Sequence, residues 1–310
     1  MKKTMKQTLG AVVAGTTLLA VTVTAMGAQG NAYENYKEAL KNTVEMAGKN
    51  RAGNGTLELE ASLKRNGVQE FSMSTIQKMD GKNHRGTLQV EALGTQKEME
   101  MSCSEVGNYL KVGDNYYSFN HKARDMERKF EHEGERKLSD KEEKLGQMFL
   151  DTLVGDMKNQ FVQNGESISV ELEGAQIPEV AQLMLDVALE GKETGEEHRE
   201  GRRGRSHCEG KNNGECEEYI KEIEDFMSFP EHVELPKLKE ADLTAISLEA
   251  QVVDGLITQN TLNIKVTGKD EAGETQELVL NMALGIKDLN NTTVELLDVQ
   301  GKTVKDIEVE

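Results

Sequence analysis

The sequence predicts an α+β fold: a single large twisted antiparallel sheet, an incomplete β-barrel, wrapping amphipathic helices. Three observations predict it. Apolar and polar residues alternate through two separate stretches of chain; tight-turn pairs such as Asn66-Gly67 and Asp254-Gly255 punctuate them; and each is preceded by apolar residues at helical spacing. Strand runs set apart from helix runs indicate α+β rather than a parallel α/β sheet.

The first 32 residues read as a signal peptide. Lys2, Lys3 and Lys6 form a basic start, residues 11–23 an uncharged and mostly apolar centre, and Ala25 to Ala28 a small-residue exit. Small residues suit cleavage after Gly27 or Ala32; an uncleaved anchor is the alternative, since residues 8–26 almost span a bilayer. No Cys follows the apolar run for lipid attachment, and no later stretch is apolar enough to cross a membrane. Removing the three lysines takes the formal charge from −18 to −21.

Residues 33–310 then form one domain. Tyr33, Tyr36, Leu40 and Val44 recur at helical spacing and Gly48 supplies a stop. Next the period becomes two: Leu57, Leu59, Ala61 and Leu63 alternate with Glu58, Glu60, Ser62 and Lys64, and Asn66-Gly67 turns the chain. Residues 68–79 run to Asp80-Gly81, and residues 87–92, 98–104 and 109–119 continue the meander, with Met99, Met101 and Cys103 on one face and Glu98, Glu100 and Ser102 on the other. Residues 122–137 read as a solvated connection. Ser139 and Glu142 make a capping box for a helix running through Leu145, Met148, Leu153 and Phe161. Residues 167–172 alternate as a strand, and Pro178 opens a helix closed by Gly191 whose buried face carries Val180, Leu183, Met184 and Val187. Residues 191–215, rich in Gly, Glu and Arg with no aliphatic anchor, read as a flexible charged insertion. Helical spacing resumes at Tyr219, Ile223 and Phe226. A second meander follows over 243–253, 256–267 and 277–284, and the tail suggests a short hairpin around Gln300-Gly301.

Composition narrows the function classes. With 55 Asp+Glu against 37 Lys+Arg, nucleic acid is a poor partner, because phosphate binding needs clustered cations. The Arg202-Arg203-Arg205 cluster is three charges in an acidic chain. No G-x-S-x-G elbow, P-loop or H-E-x-x-H occurs, and a chain with no Trp is a poor host for a glycosidase. No enzymatic activity and no cofactor are expected.

The helix-then-meander opening, the segment 169–184 with Gln176-Ile177-Pro178, and the closing 263–292 with its Gly-Lys-Asp turn at Gly268-Lys269-Asp270 resemble exported Gram-positive proteins of the lipoprotein-carrier half-barrel superfamily. The resemblance spans residues 33–310. It implies an open barrel around helices, with acyl chains held between them in some members, and it carries no catalytic residue to transfer.

Two groups of side chains are candidates for a site. The chain has fourteen Met, and flexible thioethers adapt to apolar ligands, so Met73, Met99 and Met101 of the first meander with Met148, Leu153 and Met184 of the helices form a candidate ligand-binding set; ordinary core packing is the competing reading. Cys208 and Cys216, eight positions apart in the insertion, form a candidate disulfide, remain free thiols, or join His198 and His207 in a metal site, although the paired spacing usual for zinc is absent. Cys103 reads as a small core residue, and Tyr109, Tyr116 and Tyr117 as a ligand lip or as ordinary exposed tyrosines. The expected function is that of an exported, non-enzymatic cell-envelope protein binding lipid or another apolar molecule between sheet and helices. A structural or sensory envelope module acting through contact with another envelope protein is the alternative.

Overall fold

A computed structural model of the chain describes residues 32–49, 54–119, 155–190, 221–223, 225–226, 229 and 238–307. Residues 1–31 of the expected signal segment, the charged insertion 191–215 and residues 139–154 of the helix expected to run through Phe161 lie outside the described residues; the end of that helix, residues 155–160, is instead a 3₁₀ segment.

Helix α1 (Ala32–Lys49) leads into strands β1 (Asn54–Arg65), β2 (Val68–Asp80), β3 (His84–Ala92), β4 (Thr95–Cys103), β5 (Asn108–Val112) and β6 (Asn115–Phe119). A 3₁₀ segment (Gly155–Gln160), β7 (Val162–Asn164), β8 (Ser167–Glu173) and helix α2 (Glu179–Glu190) come next, then β9 (Lys239–Val253), β10 (Leu256–Lys269), β11 (Thr275–Lys287) and β12 (Val304–Ile307). All twelve strands join one open sheet in the order β12-β6-β5-β4-β3-β2-β1-β11-β10-β9-β8-β7. Its neighbours are antiparallel except β12 and β6, which are parallel, so the sheet is mixed.

The two meanders meet at β1 and β11, paired without interruption from Thr56↔Lys287 to Arg65↔Leu278. The first turn reinforces this seam. Asn66 and Gly67 take φ of +50° and +81°, conformations that Asn and Gly tolerate, and Asn66 then exchanges bonds with β11: its backbone N–H donates to Glu277 O, and its Oδ1 accepts the Glu277 N–H at 2.8 Å.

Period-two patterning separates the faces. Register places Leu63, Phe71, Ala92, Leu280 and Ile264 on one side and Ser62, Ser72, Glu91, Asn281 and Asn263 on the other. The apolar side carries the core in three clusters. Leu63, Phe71, Val90 and Ala92 pack with Phe226 and Phe229; Ala250 and Ile257 pack with Ala39 and Leu40 of α1; Leu110, Tyr117 and Ile307 close the β6 edge. Polar side chains dock the helices to the sheet. Glu222 accepts bonds from Asn115 and from the Tyr117 hydroxyl, both at 2.5 Å, and Gln182 of α2 donates to Ala241 O while accepting the Leu243 N–H.

Several expectations are revised. Residues 109–119 are two strands, because Gly113 at φ +58° turns the chain between Val112 and Asn115. Among the described residues no tail hairpin forms: after a turn in which Lys302 N–H donates to Val299 O, residues 304–307 pair in parallel with β6. Before that, the chain crosses the polar face as a strap. Thr292 exchanges backbone bonds with the Asn54 side chain and shares a 3.1 Å hydroxyl contact with Thr56, and Glu295 O accepts Arg85 Nη1. On α2 it is Ala181, not Leu183, that is buried; Leu183 is 60% exposed. Among the described residues no helix is long and apolar enough to cross a membrane.

Candidate functional site

Between the α1 cluster and the Phe226 cluster of the apolar face, register aligns Leu59 with Leu284, and Ala61 with Met282 and Leu262. Of these, Leu59, Leu284, Met282 and Leu262 are only half-buried. One polar pair stands at the margin: Asn260 Nδ2 donates to the Tyr36 hydroxyl at 3.3 Å, while its Oδ1 is buried with no partner. Burial pushes the Tyr36 phenol up to about 12, against the smaller opposing effect of the Asn260 bond, so it stays protonated throughout the ordinary pH range.

The methionines chosen from sequence fall unevenly on this face. Met73 and Met99 pack against the Phe71–Phe226 cluster, and Met99 also touches the Leu110–Tyr117 cluster. Met101 shares the face but is 38% exposed. Met148 and Leu153 lie outside the described residues, as does the side chain of Met184 in α2. His198, His207, Cys208 and Cys216 all lie outside them too. No group of three or more potential metal ligands occurs among the described residues. Cys103 is free and half-buried, and burial raises its thiol, which favours the protonated form. The tyrosines do not form one lip: Tyr117 is fully buried on the apolar side, whereas its neighbour Tyr116 projects from the opposite face.

The polar face holds a cavity that the sequence did not point to. A recess of about 350 Å³ crosses six adjacent strands from Gln96 on β4 to Thr261 on β10, floored by small side chains such as Ser62, Ser72, Ser74 and Ala283. Gln69 donates to Ser72 Oγ and Glu91 Oε2, and Asn281 donates to Ser62 Oγ. A second recess of about 230 Å³ adjoins it, sharing Ser74 and Gln89 and bounded by Lys78, Arg85 and Glu295.

Beside these recesses Glu100 is buried between two cations, with Arg85 at 2.5 Å and Lys111 at 2.7 Å. Burial favours its neutral form, but the bonds and charges of Lys111 and Arg85 outweigh that and hold the carboxyl below the usual range. His84, on the apolar face, has its Nε2 2.5 Å from Gln77 Oε1, and burial lowers its basicity.

No protein-family model and no curated protein matches the chain. Among solved structures, the tesB protein of Mycobacterium avium subs paratuberculosis is 10% identical, with 88% of this chain and 98% of that one covered at a TM-score of 0.12. A putative thioesterase II from Thermobifida fusca YX is 6% identical, with 86% and 90% covered, also at 0.12. At those scores the likeness carries no argument about fold or activity.

Proposed function

We propose that this is an exported, non-catalytic cell-envelope protein, released by cleavage of residues 1–32, that binds a lipid or other apolar molecule against the apolar face of its sheet. In this reading the sheet curves around the helices as an incomplete barrel, and the ligand lies between them. The observation that carries it is the half-buried strip of Leu59, Leu284, Met282 and Leu262, set between two packed clusters and contiguous with Met73. Every further Å² of that strip covered by an acyl chain contributes roughly 25 cal/mol. Met73 and Met282 supply adaptable thioethers at its edge.

The test is native mass spectrometry and solvent extraction of the full chain purified from the culture medium of an exporting host, followed by titration with cis-parinaric acid. Saturable fluorescence that phospholipid displaces, and that Leu284→Asp abolishes, supports the reading. A chain that carries no lipid and gives no saturable signal overturns it.

A further inference from the structure

We infer that the recess on the polar face is a binding site for a linear, uncharged oligosaccharide, separate from the apolar strip and independent of the reading above. Its position is defined by register. Ser62 stands opposite Ser72 on one side and Asn281 on the other, and Glu60 stands between Ser74 and Ala283. These side chains belong to strands that neighbour one another in the sheet but come from both meanders, so the recess exists only once the β1–β11 seam has formed.

Its chemistry selects the ligand class. Apart from Glu60 and Glu91, the polar lining is hydroxyl and amide: Ser62, Ser72, Ser74, Thr261, Asn281 and three glutamines, groups that both donate and accept. The side chains of Ser74, Thr261 and Gln96 make no hydrogen bond within the described residues, so all three are open to an incoming partner. No lysine or arginine lines the recess, and the chain is strongly acidic, which disfavours phosphate-bearing or otherwise anionic polymers. The polar lining offers little to an acyl chain. Because the recess lies on the face of the sheet and not at an edge, no free backbone groups are available to pair with a peptide strand.

What remains is a ligand that presents many hydroxyls along its length. Glu91 accepts Gln69 at 3.4 Å, and the carboxylates of Glu91 and Glu60 can both accept hydroxyls of such a ligand. Size agrees. Crossing six strands at about 4.8 Å apart gives a track about 24 Å long, and 350 Å³ spread along it is narrow, suited to a single extended sugar chain. With no aromatic platform in the recess, affinity comes from hydrogen bonds exchanged with water, so individual binding is weak and gains from repeated sites along a polymer.

The experiment titrates the isotope-labelled full chain with the hexasaccharides of N-acetylglucosamine, cellulose and starch, with spermine and polyphosphate as charged comparisons, and follows backbone amide shifts. The expected result is saturable movement of amides around Ser62, Ser74 and Thr261 with at least one neutral hexasaccharide. The double variant Ser74→Val, Thr261→Val should weaken that binding about tenfold, the loss of two hydrogen bonds, with its melting temperature unchanged. Gln96→Ala gives a second, more exposed lesion should the double variant fold poorly. Three results overturn the inference: no neutral hexasaccharide binds; the shifts survive these variants; or spermine binds best and is lost in Glu60→Gln. Binding of cis-parinaric acid is unaffected by these variants, so failure here is distinct from failure of the lipid reading.

Discussion

The hydroxyl of Thr43 joins helix α1 to the sheet by serving two partners at once: it donates to Ala39 O at 2.7 Å and accepts the backbone N–H of Ile257 at 2.8 Å. Ile257 stands beside an irregularity in the β9–β10 ladder, where the side chain takes an N–H in place of a strand partner. Thr43→Val keeps the shape and leaves that buried N–H without a bond. We expect a loss of about 1–3 kcal/mol by urea denaturation, whereas Thr43→Ser should retain most of the stability.

Phe71 is 2% exposed and lies where β2 meets Phe226 and Phe229. Phe71→Ala should cost about 3–5 kcal/mol, through lost transfer energy and the cavity left behind. Thermal unfolding monitored by circular dichroism measures it, and a loss under about 1 kcal/mol would mean that the helical residues around 226 do not cover this part of the sheet.

Glu100 gives the polar face an acid-sensitive point. Its carboxyl titrates lower in the folded chain than in the unfolded one, so its contribution is present above the ordinary value of 4.5 and is lost as pH falls through the folded value. Glu100→Gln should flatten that part of the stability–pH curve. At pH 7 it should cost about 2–3 kcal/mol, because Arg85 and Lys111 then face each other without their shared anion.

His84 works at higher pH. Burial lowers its basicity below the ordinary 6.5, so the unfolded chain takes up the proton first, and stability declines as pH drops from 6.5 toward the folded value. A pH series of melting temperatures on wild type and His84→Gln checks this: the variant should lose the slope in that window and otherwise melt alike.

The strands and turns were legible in the sequence because their causes are local. Asn66-Gly67 and Asp254-Gly255 combine residues that accept positive φ with flanking alternation, and the structure has hairpins at both. The parallel pairing of β12 with β6 was not legible, since it depends on a strap crossing the polar face and not on any nearby turn. The identity of each face followed from alternation, which places Met73 and Met99 correctly on the apolar side. Adjacent aromatics show the limit of that reading: Tyr116 and Tyr117 look like one cluster in a line of sequence, and the period of two sends them to opposite faces. The recess left no local signal at all. It is made of short side chains that are unremarkable within their own strands and become a track only when Ser62 meets Asn281, 219 positions away.

The seam between the meanders also governs how the molecule is made. As synthesis proceeds, β1 emerges early with one flank unoccupied, and its partner β11 follows only after most of the chain has been produced. Such distant pairing is slow to form and leaves a bare, association-prone strand edge in the meantime. A chain truncated before residue 275 would keep both halves' local hairpins and still have nothing to join them, and it should aggregate instead of settling into a smaller soluble version of the same protein.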